Sequence, residues 1–256
     1  MSEKREVTPV LTITFTTGTA FPSTDSFAVA LSRLLASTND VILLQKLTII
    51  SRAKADTAIG PDKLIVNNET GYFVRMLLGH LYEAGIAFRG LDENHRSRVD
   101  EIVKGDLQAK ESLSLLRKVY GDVSESGFYK AILGCVRNLA GFHYKEATFT
   151  QGLETLKEAA ATIVISEHIG SNRYVLSDVI MTAKVIDCIG GEAKFPKAIA
   201  DAYELADALA IGVTHLLKDL LADQKIVTTE ELGEVEIHPD IAATRRRLAS
   251  EKTTDY

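Results

Sequence analysis

The stretch from Pro196 to Gln224, PKAIADAYELADALAIGVTHLLKDLLADQ, gives the clearest helical signal in the chain. Its apolar side chains recur every three or four residues, which places them along one face of an α-helix. They are Ile199, Tyr203, Ala206, Leu209, Val213, Leu216 and Leu220. Proline is tolerated in a first helical turn because its missing N–H would have no helical partner there. We therefore predict a long amphipathic helix that ends near Gln224.

Similar patterns fill most of the chain before this stretch. Small polar residues precede the apolar-periodic segments and glycine often follows them, as expected of helix starts and stops. The predicted helices cover about 23–36, 40–58, 67–90, 93–103, 106–119, 126–142, 150–164 and 172–190. We predict an all-α fold, a helical bundle, over residues 23–226.

The two ends of the chain differ from this helical part. Residues 1–22 are predicted to be an extended, strand-like arm, because β-branched residues are frequent and partly alternate from Val10 to Phe15. A lone strand needs a partner, which another subunit could supply. Residues 227–256 are predicted to be a mobile polar tail. The tail contains Arg245-Arg246-Arg247, which beside comparable acidity is more typical of a solvated charge cluster than of an RNA contact.

Composition limits the class of protein. The chain has 256 residues, of which 46% are hydrophobic and 25% charged, as in ordinary soluble domains. Its net charge of −6 repels nucleic acid unless a groove is locally basic. Apolar runs such as 159–165 fall far short of the ~20 residues that cross a bilayer, and no secretion signal is recognisable. We expect a cytoplasmic protein without membrane contact.

The chain has two cysteines, Cys135 and Cys188, each inside an apolar stretch. Neither has another cysteine close to it in the sequence. Buried free thiols are typical of proteins in a reducing cytosol. We therefore expect no disulfide.

The run RNLAGFHY, residues 137–144, points most directly to chemistry. Arg137 can hold phosphate oxygens, and His143 can act as a general acid or base because imidazole titrates near neutral pH. On a straight α-helix these two side chains lie about 120° apart around the axis and ~9 Å apart along it. A shared site therefore requires a bend at Gly141 or a second chain.

This run resembles the hallmark of the HEPN superfamily. That hallmark is an arginine, a polar residue directly after it and a histidine four to six residues beyond, near the end of a helix in a helical bundle. Arg137 and Asn138 fit it, with five residues between Arg137 and His143. The aromatic flanks Phe142 and Tyr144 make the run most similar to the abortive-infection branch. The resemblance covers about residues 67–169.

The resemblance implies a metal-independent endoribonuclease of the toxin or phage-defence type, with a site formed across a homodimer. Arg137 would stabilise the phosphate of the RNA substrate, Asn138 would orient the phosphate or the histidine, and His143 would be the acid or base. No metal or cofactor is implied, and an antitoxin protein is a further expected partner. In some HEPN toxins an antitoxin nucleotidyltransferase modifies a tyrosine one residue past the histidine. Tyr144 is directly adjacent to His143, so it is an accessory candidate that departs from that spacing.

Two other interpretations remain open. The chain could be a non-catalytic helical binding or regulatory module in which the motif is degenerate. It could also bind a metal through His80 and Glu83, which lie one helical turn apart but lack a second Glu-x-x-His set. The sequence has no phosphate-binding glycine loop, no cysteine–histidine zinc spacing and no Gly-x-Ser-x-Gly motif.

Overall fold

Helices make up most of what the computed structural model describes, namely residues 7–14, 17–141, 146–155, 175–224 and 228–236. The α-helices are α1 (Thr17–Ala20), α2 (Ser26–Thr57), α3 (Gly60–Ile102), α4 (Leu107–Gly121), α5 (Glu146–Thr155), α6 (Val175–Ile189) and α7 (Phe195–Gln224). α2 and α3 pack along each other, and α7 packs against α2, α3 and α4. The predicted all-α helical bundle is confirmed.

α7 follows its sequence pattern closely. It begins at Phe195 and ends at Gln224, within one residue of the predicted bounds. All seven residues of the predicted apolar face are buried, with at most 4% of their surface exposed. Both the bounds and the buried face of α7 therefore follow from its apolar pattern.

The two helices predicted over 23–36 and 40–58 are one helix, α2. Its N-cap is Asp25, whose side chain accepts from the backbone N–H of Phe27 at 2.9 Å. Serine and threonine often interrupt helices by bonding to nearby backbone. Within α2 the Thr38 hydroxyl donates to the Leu34 carbonyl at 2.7 Å without ending the helix, which packs along α3 through the expected break.

α3 also joins segments that the sequence patterns separate. It starts at Gly60 instead of near Asn67 and runs 43 residues, through the predicted end at Gly90. Its backbone leaves helical geometry at His95, where φ is −137° and ψ is 20°. Packing against α2 and α7 stabilises this long helix although glycine and polar residues weaken its local propensity.

Gly85 allows aromatic side chains to approach α3 closely. A Cβ atom at this position would lie 2.6 Å from ring atoms of both Tyr120 and Tyr129. The Tyr120 hydroxyl donates to the Leu81 carbonyl at 3.0 Å, and Tyr120 also contacts Phe88 with ring centroids 5.8 Å apart. Burial raises the pKa of Tyr120 far above its ordinary value. The missing side chain at Gly85 is thus a packing requirement.

Gly85→Ala should destabilise the protein by up to about 2 kcal/mol. The added methyl group overpacks this aromatic contact at a cost of about 1–3 kcal/mol, and the gain of about 1 kcal/mol that alanine offers over glycine inside a helix offsets part of it. Gly90→Ala on the same helix is the matched control, since nothing lies within 4 Å of the position that its Cβ atom would take, and it should be neutral or stabilising. Urea unfolding measures both changes, and a fully stable Gly85→Ala protein would contradict this account.

The segment carrying the RNLAGFHY run is wider than an α-helix. Phe128–Gly134 and Arg137–Gly141 are π-helical, with hydrogen bonds between residues five positions apart. The roughly 100° spacing of an α-helix therefore does not predict which side chains share a face in this segment. The fully buried side chains are Tyr129, Leu133 and Val136, whereas Phe128 and Ile132 are only partly buried.

The two ends of the chain meet in a small antiparallel sheet. Strand β1 (Val7–Thr14) pairs with strand β2 (Thr228–Glu236), with an irregularity between Val10 and Leu11. The partner of β1 therefore comes from the same chain, not from another subunit. The prediction of a mobile tail is wrong for Thr228–Glu236, which forms a strand. The glutamates in this segment led the sequence pattern to indicate a polar tail instead. Residues 237–256, including the three arginines, lie outside the described residues.

Cys135 and Cys188 form a disulfide, which corrects the expectation of free thiols. Their Cα atoms are 5.6 Å apart although 53 positions separate them in the sequence. That Cα distance is within the range that a disulfide spans. The bond joins Cys135, which lies between the two π-helical stretches, to α6, and no short sequence spacing could have indicated it.

α2 alone among the described helices is long and apolar enough to cross a membrane, judged by length and composition. The core helix of a soluble protein passes the same test. α2 buries Phe27, Leu31, Leu34 and Val41 in the core that it shares with α3. The feature is therefore weak evidence of membrane contact.

Candidate functional site

Arg137 is the first residue of the second π-helical segment, which packs against α3. Its Nε donates to Glu83 Oε1 at 2.8 Å, and its Nη1 donates to Asn138 Oδ1 at 3.1 Å. The two adjacent motif residues are therefore in contact, and Glu83 of α3 joins them. We call Glu83, Arg137 and Asn138 the arginine cluster.

The arginine cluster is accessible from solvent. The side chains of Arg137 and Glu83 are 32% and 36% exposed, and Asn138 is exposed. A guanidinium carries five N–H donors, and the contacts with Glu83 and Asn138 use two of them among the described residues. The other donors can bind an anion such as a phosphate. Glu83 orients the guanidinium but also offsets its charge, so an anion must compete with this ion pair.

A stack of aromatic rings supports the cluster from the side of the core. Tyr82, next to Glu83, stacks on Tyr129 with ring centroids 4.8 Å apart, and the Arg89 guanidinium lies 5.6 Å from the Tyr129 ring. Burial raises the pKa of Tyr129 to about 12, and the neighbouring Tyr82 adds to the rise. The Tyr129 ring packs against those of Tyr82 and Tyr120, whose centroids lie 4.8 and 5.4 Å away.

His143 and Tyr144 lie outside the described residues, which stop at Gly141 and resume at Glu146. Their positions relative to Arg137 stay a prediction. The geometry of a straight α-helix does not apply to this segment, because Arg137–Gly141 is π-helical. The expected bend at Gly141 falls where the described part of that helix ends.

His80 and Glu83 face different partners. His80 Nδ1 lies 3.4 Å from Asp40 Oδ2 on α2, whereas Glu83 holds Arg137. Across the described ranges, no group of three or more histidine, cysteine, aspartate or glutamate side chains is arranged to hold a metal ion. The structure therefore does not bring a third ligand from those ranges to the pair on which the metal-binding interpretation depends.

Sequence reasoning missed the contact between Glu83 and Arg137. The two residues are 54 positions apart, and the sequence suggests Glu83 only as a metal ligand. Neither a periodicity nor a motif links them. Glu83 and Arg137 come into contact only because the π-helical segment packs on α3 in the folded protein.

Comparison with protein-family models, with curated proteins and with solved structures gave no significant match. The functional conclusion therefore rests on the chemistry of the site. The described part of that site is an oriented arginine, an amide beside it and a carboxylate behind it.

Proposed function

We propose that this protein is a metal-independent endoribonuclease of the toxin or phage-defence type, with the HEPN-like run 137–144 as its catalytic motif. Arg137 stabilises the phosphate, Asn138 orients it or the histidine, and His143 transfers the proton. The proposal includes a homodimer and an antitoxin partner, and it requires no cofactor.

The observation that carries the proposal is the orientation of Arg137. Its Nε is fixed by Glu83, while Nη2 has no hydrogen-bond partner among the described residues and the side chain is 32% exposed. An arginine held in this way is pre-organised to meet a phosphate with parallel N–H donors. Charge that develops on the phosphate oxygens during cleavage would then be stabilised without further rearrangement.

The proposed chemistry needs one acid and one base. A neutral His143 would remove the proton of a ribose 2′-hydroxyl, and a protonated histidine would donate a proton to the leaving 5′-oxygen. A homodimer would supply both histidines and both arginines to one cleft. Incubation of the protein with single-stranded and structured RNAs in EDTA tests the function directly. Cleavage is expected, and its absence on every substrate contradicts the proposal.

The ion pair between Glu83 and Arg137 favours one alternative function. A guanidinium already paired with a carboxylate is common in structural contacts, as expected of a non-catalytic helical binding or regulatory module. In that case the pair serves only to dock the π-helical segment on α3. Substitution of Glu83 separates the two functions.

Glu83→Gln should lower the rate of RNA cleavage about ten- to a hundredfold, because Arg137 loses the charge that fixes its orientation. Stability should change by less than about 1 kcal/mol, since both side chains of the pair are about one-third exposed. The rate is measured under single-turnover conditions and stability by urea unfolding. Glu93→Gln, which removes a 70%-exposed carboxylate on the same helix, is the matched control. A Glu83→Gln protein that cleaves at the wild-type rate would show that the ion pair has no role in positioning.

A further inference from the structure

A second concave site lies on α3 and α6, away from the arginine cluster. It has a volume of about 310 Å³ and is lined by Asn68, Glu69, Tyr72, Phe73 and Asp178. Volumes of this size are at the lower end of the range for small-ligand sites. We call it the Tyr72 pocket.

Two hydrogen-bond donors beside this pocket are buried without an acceptor. They are Asn68 Nδ2 and Arg75 Nε, neither of which has a hydrogen-bond partner among the described residues. Arg75 is only 4% exposed. A buried donor left unpaired is costly, so each such group calls for an explanation such as a missing ligand. Residues seven positions apart fall within about 20° of each other around a helix, so both donors lie on the same side of α3.

Arg75 extends toward the Tyr72 ring, which lies about one helical turn earlier on α3. Side chains on a helix lean toward its N-terminus. The Arg75 guanidinium accordingly lies 5.3 Å from the centroid of the Tyr72 ring, and Tyr72 is part of the pocket wall. Arg75 therefore packs against Tyr72, a wall residue, and is not itself one of the residues that line the pocket.

The walls favour a flat polar ligand over a simple anion. Tyr72 is 42% exposed although Arg75 lies over its ring, so it offers an aromatic surface to a second planar group. Phe73 lies beside it with ring centroids 5.7 Å apart. Glu69 and Asp178 also line the pocket, which disfavours a bare anion. A nucleobase combines a face that stacks on aromatic rings with edge acceptors that amide and guanidinium groups can meet.

The pocket is aligned with the arginine cluster along α3. Tyr72 and Glu83 are eleven residues apart, which places them within about 20° around the helix and about 16 Å apart along it. The helix is uninterrupted between them, because its departure from helical geometry is at His95. A strand of RNA with its phosphate at Arg137 could therefore follow this line to the pocket.

We propose that the Tyr72 pocket binds an unpaired nucleobase of the RNA substrate, at a nucleotide about two positions from the cleaved phosphate, as the ~16 Å along α3 requires. This inference rests on the proposed ribonuclease function and assigns its base preference to Tyr72 and Asn68. The base stacks on Tyr72, and its edge accepts from the Asn68 amide, while Arg75 packs against the Tyr72 ring and holds it in place.

The test measures binding separately from cleavage. Kd values are determined by calorimetry for the four nucleoside monophosphates with the wild-type protein, and by fluorescence anisotropy for short single-stranded RNAs with the Arg137→Ala protein. Tyr72→Ala should weaken binding about ten- to a hundredfold, the range expected for loss of one base–aromatic stack. Tyr72→Phe keeps the ring and should retain most of the affinity. An unchanged Kd in Tyr72→Ala, or a wild-type protein that binds neither nucleotide nor RNA, would overturn the proposal.

The Arg75→Met variant distinguishes an arginine that supports ligand binding from one that only stabilises the fold. Methionine fills a similar space without a buried unpaired charge, so this variant should have a higher Tm and yet bind RNA more weakly. An RNA Kd equal to that of the wild type would reject a role for Arg75 at the pocket, whatever the change in Tm.

Failure of this inference can be told apart from failure of the proposed function. If the wild type cleaves RNA and Arg137→Ala does not, while Tyr72→Ala leaves KM and base preference unchanged, the pocket is refuted and the ribonuclease function stands. If nucleotides bind in a Tyr72-dependent manner but no RNA is cleaved, the pocket stands and the catalytic function is refuted.

Discussion

Replacing Arg137 by alanine should slow RNA cleavage in EDTA about 10²–10³-fold, the usual effect of removing one donor that stabilises developing negative charge. His143→Ala should slow it about 10²–10⁴-fold, because a positioned general acid or base contributes that much. EDTA excludes cleavage by metal-dependent nucleases that contaminate the preparation. The single-turnover rate on a labelled RNA measures both effects.

The loss must arise from chemistry and not from unfolding. The Arg137 side chain is about one-third exposed, so its ion pair should contribute no more than about 1 kcal/mol to stability. Arg96→Ala is the matched control, since Arg96 is an arginine of α3 that is 64% exposed and lies 4.0 Å from Asp100. That variant should cleave at the wild-type rate. Undiminished cleavage by Arg137→Ala or His143→Ala would contradict the assigned roles, and a wild type inactive on varied RNAs would favour the binding module.

Local patterns predicted the helices that bury one regular face. α7 has such a face from Ile199 to Leu220, and α4 begins after Asp106, whose side chain accepts from the Ala109 N–H at 2.9 Å. The pattern failed where tertiary contacts override local preference. α2 continues through the polar run near Thr38, and the π-helical turns around Arg137 have no recognised sequence signal.

The candidate site was only partly predictable for the same physical reason. Arg137 and Asn138 are adjacent in the sequence, so their contact could be anticipated. The other residues become relevant only through the folded structure. Glu83 is brought into contact with Arg137, whereas Arg75 and Asn68 each have a buried donor without an acceptor among the described residues. A sequence pattern indicates which residues share a helix face, but not which buried donor is left without an acceptor.

Removing the disulfide should lower the free energy of unfolding by about 4 kcal/mol, the chain-entropy value for a loop of this length. The loop closed by Cys135 and Cys188 spans 53 positions, and opening it enlarges the set of unfolded conformations. Urea unfolding of the Cys135→Ala/Cys188→Ala protein measures the loss against the oxidised wild type. Dithiothreitol should destabilise the wild type and leave the double variant unchanged.

The disulfide also bears on the arginine cluster, and whether the bond persists depends on the compartment in which the protein resides. Cys135 lies two positions before Arg137, and Cys188 is on α6, so the bond tethers the segment that carries the motif. Reduction in a cytosol would therefore loosen the segment on which the proposed catalysis depends. Alkylation of thiols in freshly lysed cells gives the redox state, and two alkylated cysteines in native protein would contradict the disulfide. If the reduced protein cleaves as fast as the oxidised one well below its Tm, the tether stabilises the fold without positioning Arg137.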